Sequence, residues 1–180
     1  MTEAQERPII IRAVERGTTD SYLTVVGVED IPAILDLAKK AYPEKVLPGV
    51  IKSLSFYKDC LQAGIDDGRK FFKREENGQI VGVCGVQKKA EDPSSVCWGS
   101  WFFIDPEKRN SMLTYRMGVA FANTVKEFGY KTMYAETSND HTEYYNIAPY
   151  LVRFGFTLSA SIPNFYETGV DMQVYVLELK

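Results

Sequence analysis

The chain has 180 residues, 45% of them hydrophobic and 25% charged, a composition typical of one globular domain with a sizeable core. Its formal net charge of -3 at pH 7 gives no general attraction to nucleic acid or to an anionic membrane, so neither is expected as a partner. The sequence contains no apolar run long enough for a transmembrane helix, and its first residues are too polar for a secretory signal.

The cysteines and the histidine limit the chemistry that the chain can support. Cys60, Cys84 and Cys97 are odd in number and lie in apolar contexts, which predicts reduced core thiols and a cytoplasmic protein. His141 is the only histidine and no Cys-x-x-Cys pair is present, so no metal site is predicted. A Ser-His-Asp triad would have to use that one histidine.

The first part of the chain predicts an arm, a strand and two helices. Residues 1–20 are expected to form an arm or an extra strand, and residues 21–180 one domain. The β-rich segment 22–28 predicts a strand, and Asp30 can cap the helix that follows. A second helix is predicted from about Val50 to Ala63. The apolar faces of the two helices are predicted to be Ile31, Ile34, Leu35, Ala38 and Tyr42, and then Ile51, Leu54, Tyr57 and Leu61.

The middle of the chain predicts an antiparallel meander. Three β-rich segments, 70–75, 79–88 and 96–104, are separated by turn residues. Asn77-Gly78 is a strong signal for a hairpin between the first two.

The last part of the chain predicts alternating helices and strands. The apolar spacing after the polar loop 105–111 predicts a helix from Met112 to Phe128, which Gly129 ends. The remaining predicted elements are a strand over 131–136, a helix over 143–154, a strand over 156–161, a bend at Thr168-Gly169 and a strand over 171–179. The fold class is therefore α/β (α+β), a mixed, mostly antiparallel central sheet with helices on both faces.

Two segments resemble the sequence signatures of a known superfamily. In the first, a strand ending at Ile104 leads through Asp105-Pro106 to Arg109, which opens a sequence similar to Arg/Gln-x-x-Gly-x-Gly/Ala at the start of a long helix. In the second, residues 150–156 are similar to the Leu-Tyr-x-x-x-Gly-Phe signature. Together the two segments resemble the GNAT superfamily of N-acetyltransferases, and the order of elements extends the resemblance to about residues 22–179.

The resemblance implies an enzyme that transfers an acetyl group from acetyl-coenzyme A (acetyl-CoA) to a primary amine by direct attack. The acceptor would be a small-molecule or peptide amine, and pairing of a C-terminal strand could give a homodimer. A helix N-terminus suits the coenzyme A diphosphate because its free N–H groups and its dipole attract anions. The implied cofactor-binding residues are Phe103, Ile104, Arg109, Asn110, Ser111, Met112, Leu113 and Thr114.

This sequence departs from the first signature at both glycine positions. Met112 and Thr114 replace the glycines that allow a close approach of the backbone to phosphate. In an alternative register, Gly118 and Ala120 form the Gly-x-Ala element and Tyr115 takes the Arg/Gln position. We favour the first register, because it keeps Arg109 and a helix of about five turns.

The catalytic candidates are Tyr150 and Glu136. The family's general acid is often the Tyr of Leu-Tyr, but that position here is Leu151, so Tyr150 replaces it only if the helix is rotated or shifted. Glu136 follows a strand and could act through water as the general base for an ammonium acceptor. His141 lies in a polar loop beside the expected cleft. Trp98 and Trp101 could wall an acceptor pocket, although buried aromatic residues are common in sheets.

Two other functions remain open from the sequence. The missing glycines and the Leu at the Tyr position favour a GNAT-like binding or regulatory module that has lost its chemistry. A structural partner protein that uses its aromatic surface is a third hypothesis.

Overall fold

The computed structural model describes residues 22–140 and 147–179 of the chain. Its strands are β1 (Thr24–Val25), β2 (Arg69–Glu76), β3 (Gln79–Gln87), β4 (Val96–Ile104), β5 (Thr132–Ser138), β6 (Thr157–Glu167) and β7 (Val170–Glu178). Its helices are α1 (Ile31–Ala41), α2 (Leu47–Ala63), α3 (Ser111–Glu127) and α4 (Ala148–Arg153). The predictions for the arm over residues 1–20, for His141 and for the start of the helix over 143–154 lie outside the described residues.

The described strands form one seven-stranded sheet in the order β1-β2-β3-β4-β5-β7-β6. Every neighbouring pair is antiparallel except β4 and β5, which are parallel. Helices α1 and α2 cover one face of the sheet around Phe71, Val83 and Phe103, whereas α3 and α4 pack on the other. The structure confirms the predicted fold class.

The predicted β2–β3 hairpin is present with its expected turn. Asn77 and Gly78 both have positive φ angles, 52° and 76°. That conformation gives the turn a twist that matches the twist of the two strands.

Helix α2 begins earlier than predicted and buries a shifted face. Pro48 lies in its first turn, where the absence of an N–H costs no hydrogen bond, so the helix starts at Leu47 rather than Val50. Its buried residues are Val50, Leu54, Tyr57 and Cys60, and in α1 they are Ile31, Ile34, Leu37 and Ala38. The predicted Leu35, Ile51 and Leu61 are half-buried, because a long apolar side chain beside the contact stripe is only partly covered.

Strands β1 and β6 differ in length from their predictions. β1 pairs only at Thr24 and Val25, because the chain then turns into a short 3-10 helix at Val28. β6 continues past Ser161 to Glu167 although it contains Pro163. β6 is at the edge of the sheet, where a proline needs no ladder hydrogen bond, and its pairing with β7 is irregular beyond Ile162.

A largely buried ion pair fixes the start of α1 to the sheet. Lys73 Nζ in β2 lies 2.6 Å from Asp30 Oδ1, and only 13% and 11% of the two side chains are exposed. Asp30 Oδ2 also accepts a hydrogen bond from Gly27 N at 2.8 Å, and Lys73 Nζ lies 3.2 Å from Glu75. Burial alone would lower the pKa of Lys73, but its hydrogen bonds to Asp30 and Glu75 outweigh burial and raise it.

Candidate functional site

Strands β4 and β5 separate at the centre of the sheet. They pair only over residues 96–98 of β4, although β4 continues to Ile104 and β5 to Ser138. A bulge on β4 places Ser100 and Trp101 between two residues that pair with β3. Such a bulge bends the strand, and beyond it no described strand pairs with the β5 side of β4. The C-terminal half of β4 is therefore a free edge inside the fold.

The backbone of Phe102 and Ile104 faces this free edge. Along a strand, the backbone N–H and C=O groups of successive residues point alternately to its two sides. Asp105 N donates to Val81 O in β3 at 2.9 Å, so the backbone groups of Ile104 and Phe102 point away from β3. Accordingly, Phe102 O accepts from the hydroxyl of Tyr42 at 3.1 Å. Of the predicted pair, Ile104 presents its backbone to the edge, whereas Phe103 turns its backbone towards β3. Phe102 is a residue that the sequence analysis missed.

Arg109 and Asn110 shape the loop that joins β4 to α3. Arg109 Nη2 donates to the carbonyl of Ile104 at 3.3 Å. Asn110 is the N-cap of α3, because its side-chain oxygen accepts from Leu113 N at 2.8 Å. Thr114 Oγ1 donates to Asn110 O at 2.9 Å. The loop thus places the capped N-terminus of α3 next to the free edge of β4.

The residues of the first turn of α3 divide between core and surface. Leu113 and Thr114 are buried, whereas 59% of Met112 is exposed. The side chain of Ser111 lies outside the described part of the chain. Met112 therefore projects from the helix N-terminus, where the predicted phosphate site would lie.

The alternative register of the first signature is wrong. Gly118 and Ala120 lie inside α3 rather than at its start, which is Ser111. A Cβ atom at Gly118 would lie 2.7–2.9 Å from the ring of Phe154, so the glycine allows α3 to pack closely on that ring. Gly118 thus has a packing role on the other side of the sheet from α1 and α2.

A narrow cavity of about 20 Å³, hereafter the slot, lies beside the free edge. It is lined by Phe102, Phe103, Ile104, Thr114, Ile147, Tyr150 and Phe154. Leu151 is buried in the core, so Tyr150 rather than Leu151 faces the slot. Within the described part of the chain, the hydroxyl of Tyr150 has no hydrogen-bond partner. The structure thus brings the predicted residues Phe103, Ile104, Thr114 and Tyr150 together.

A larger cavity of about 690 Å³, hereafter the cleft, opens on the face of the sheet that carries α1 and α2. It is lined by Tyr42, Val46, Gly49, Lys52, Ser53, Phe56, Arg69, Gln87, Lys89, Trp98, Gly99, Ser100, Trp101, Phe102, Glu136, Thr137, Ser138, Ile147 and Tyr166. The volume is in the range of small-molecule sites. Phe102 and Ile147 line both cavities, so the cleft and the slot meet at the free edge.

Aromatic side chains and cations are paired along one side of the cleft. Lys89 Nζ lies 3.7 Å from the ring centroid of Trp98, and the guanidinium of Arg69 lies 4.7 Å from that of Phe56. Trp98 also stacks on Tyr134, with ring centroids 5.1 Å apart. Trp98 and Trp101 both line the cleft, as the hypothesis of an acceptor pocket requires.

Glu136 lines the cleft from the part of β5 that has separated from β4. Its side chain is exposed, and the neighbouring Thr137 and Ser138 are buried. The two catalytic candidates are therefore in different cavities beside the free edge, with Glu136 in the cleft and Tyr150 in the slot. That separation suits a base that meets the acceptor and an acid that meets the leaving group.

The sequence analysis missed cleft residues that come from distant parts of the chain. Tyr42, Lys52 and Tyr166 line the cleft, but no motif marks them. Tyr166 reaches it from the β6–β7 hairpin, which Lys45 ties to the segment before α2 through an ion pair with Glu167 at 2.7 Å. Only the tertiary structure brings these segments together.

Solved structures with the same architecture are numerous. A GNAT-family protein from Desulfovibrio desulfuricans is 18% identical, with a TM-score of 0.74 over 88% of this chain and 98% of that one. The ribosomal-protein-S18-alanine N-acetyltransferase of Escherichia coli is 14% identical, with a TM-score of 0.63 over 88% and 93%. An aminoglycoside 6'-N-acetyltransferase complexed with coenzyme A is 11% identical, with a TM-score of 0.70 over 88% and 97%.

The chain has the GNAT fold. At these identities the likeness establishes the fold and not the activity of this GNAT-fold protein. Neither a protein-family model nor a curated protein matches the sequence. Of the helices in residues 22–140 and 147–179, none combines the length and the apolar character that crossing a lipid bilayer requires.

Proposed function

We propose that this GNAT-fold protein is an N-acetyltransferase that uses acetyl-CoA and a primary amine. The observation that carries the proposal is the free edge of β4, which lies where a cleft containing Glu136 meets a slot containing Tyr150. A small-molecule or peptide amine would enter the cleft. The three free and buried cysteines support a reducing, cytoplasmic setting.

The residues beside the free edge fit a coenzyme A group. The backbone N–H groups of Phe102 and Ile104, which no described strand pairs, could donate to the carbonyls of an extended pantetheine arm, as an added strand would. Arg109, Asn110 and the N-terminus of α3 would hold the diphosphate through hydrogen bonds and the helix dipole. The slot of about 20 Å³ must widen to admit the arm.

The chemistry divides between the two sides of the edge. When bound, acetyl-CoA supplies the acetyl group as a thioester. A backbone N–H at Phe102 or Ile104 would polarise the acetyl carbonyl. Glu136 would accept the proton of the ammonium acceptor through water, and Tyr150 would donate a proton to the departing sulfur. Holding the amine near the carbonyl would supply much of the rate enhancement.

The second candidate function is a binding or regulatory module without catalysis. Two observations favour it: the slot is almost closed, and Met112 projects from the helix N-terminus at a position where the superfamily signature has glycine. Such a module would bind coenzyme A or an amine without releasing thiol.

Release of coenzyme A thiol from acetyl-CoA, followed with a disulfide reagent over a panel of primary amines, tests the proposal. We expect release that depends on both protein and amine and that rises with pH as the amine loses its proton. Burial, with a smaller contribution from Asp92, raises the pKa of Cys97 to about 12, and burial raises that of Cys84 still further, so these thiols should add little background. Binding of acetyl-CoA without release over the whole panel would favour the binding module.

Replacing Arg109 by Ala is expected to weaken coenzyme A binding about tenfold. A partly exposed charge-assisted hydrogen bond contributes about 1.5 kcal/mol, near the lower end of its range. The measurement is a calorimetric dissociation constant, with Lys40→Ala on α1 as a control that removes the same charge from a helix on the opposite face. An unchanged dissociation constant in Arg109→Ala would remove Arg109 from the site.

Replacing Met112 by Gly is expected to tighten coenzyme A binding. The exposed side chain stands at the helix N-terminus, and its removal allows phosphate to approach the backbone. Glycine in the first turn should also cost up to about 1 kcal/mol of stability, so binding is measured well below the unfolding temperature. Met112→Ala, which removes most of the side chain with little cost in helix propensity, is the matched control. Weaker binding in both variants would show that the side chain helps to hold the ligand.

A further inference from the structure

The charges that line the cleft are unequally distributed. Lys52, Arg69 and Lys89 line it, whereas Glu136 is its only lining carboxylate among the described residues. The negative charge of Asp67 offsets the positive charge of Arg69, because Asp67 Oδ2 lies 3.2 Å from Arg69 Nε. A polycationic amine needs several carboxylates to replace its lost hydration, so this cleft suits such a ligand poorly.

Arg69 and Glu136 mark two ends of the cleft, and Lys89 lies between them over Trp98. Arg69, Gln87, Trp98 and Tyr134 pair in one row across β2, β3, β4 and β5. Three strand spacings therefore separate Arg69 from the strand of Glu136, roughly 14 Å at the level of the backbone. Trp98 lies between them in this row.

Lys52 extends the cationic end along α2. Gly49, Lys52 and Phe56 follow one another at about one turn each on the helix face that lines the cleft. Gly49 lies against Trp101, since a Cβ there would be 3.3 Å from its ring, and Phe56 lies under Arg69. Lys52 thus lies between Trp101 and Arg69. It forms no ion pair with a described residue, so its charge is available to a ligand.

We propose that the acceptor is a primary amine that carries an anionic group, a carboxylate or a phosphate, at its far end. The amine would lie at Glu136, an apolar middle would pack on Trp101, and the anion would lie at Lys52 with Arg69 beyond it. This inference rests on the proposed acetyl transfer for the role of the amine. The preference for an anion follows from the cleft alone.

Matched linear amines test the proposal in two separate ways. The probes are 6-aminohexanoate and 8-aminooctanoate, the phosphonates of the same lengths, the corresponding diamines, and spermidine. Binding to the protein without acetyl-CoA is measured by ligand-observed NMR, and thiol release is measured with acetyl-CoA. We expect the anionic amines to bind at least about tenfold more tightly than the diamines, the ratio that one charge-assisted contact gives. The carboxylate and phosphonate arms show which anion the cleft prefers.

Charge reversal at Lys52 localises the preference. Lys52→Glu should remove the preference for the anionic amines or reverse it, whereas Lys58→Glu, on the same helix but outside the cleft lining, should leave it unchanged. Tighter binding of diamines or spermidine to the unaltered protein, or an unchanged preference in Lys52→Glu, would overturn the proposal. Anion-selective binding without thiol release would uphold the anion preference of the cleft while contradicting the proposed acetyl transfer.

Discussion

Tyr150→Phe is expected to lower kcat for acetyl transfer by about 100-fold while KM for acetyl-CoA changes little. A general acid contributes about 10²–10⁴-fold, and the low end applies because a thiolate is a good leaving group. The variant keeps the aromatic ring that lines the slot, so the loss can be assigned to the hydroxyl. Steady-state thiol release with the best amine of the panel is the measurement.

The control for this prediction is Tyr130→Phe, which removes a tyrosine hydroxyl outside the linings of the cleft and the slot. It should leave kcat unchanged. Because the proton leaves with the sulfur, the defect in Tyr150→Phe should shrink with an acyl donor whose thiol is more acidic. Equal turnover in Tyr150→Phe and the unaltered protein would assign Tyr150 a packing role and leave the departing thiolate to take its proton from water.

Lys73→Met is expected to lower the free energy of unfolding by about 3 kcal/mol. Removal of one partner leaves Asp30 as an uncompensated buried charge, which costs about 3–5 kcal/mol, and the low end applies because a tenth of its side chain stays exposed. Urea denaturation is the measurement. Lys70→Met is the matched control on the same strand, since its pair with Asp66 is exposed and should contribute less than about 1 kcal/mol.

A double-mutant cycle and a pH series extend this prediction. Asp30→Asn combined with Lys73→Met should recover part of the loss, because no buried charge then remains unpaired. The pKa of Lys73 is raised in the fold, so its contribution is complete below the usual lysine value of 10.5 and is lost as pH rises through the folded value. The stability difference between the unaltered protein and Lys73→Met should therefore be constant near neutral pH and shrink in strong alkali. Equal stability of the two proteins at pH 7 would contradict the account of the ion pair.

The sequence was sufficient for the architecture and for the loop that joins β4 to α3. Asn77-Gly78, Gly129 and the periodicity of α3 are local signals, and each specified its turn or helix end without help from distant residues. The segment from Ile104 to Thr114 is also local, so its loop and cap could be inferred from one stretch of chain. The start of α2 was missed although Pro48 suits a first turn, whereas the length of β6, with Pro163 inside it, depends on its place at the edge of the sheet.

Most of the cleft lining could not be predicted because its residues meet only in three dimensions. Tyr42 and Phe102 are joined by a hydrogen bond although 60 positions separate them in the chain. Tyr150 faces the slot in place of Leu151 because core packing sets the rotation of α4, and no motif encodes that rotation. Lys52 is one of many exposed lysines in the sequence, and only its place between Trp101 and Arg69 distinguishes it.

Calorimetric titration of the unaltered protein with acetyl-CoA tests most directly the claim that the free edge of β4 and the N-terminus of α3 form a cofactor site. The account predicts saturable binding at one site per chain that is weakened about tenfold in Arg109→Ala. Binding should also weaken with added salt, since charged phosphates provide part of the affinity. Absence of binding at millimolar acetyl-CoA would contradict the account, because the GNAT fold would then be present without the function proposed for it.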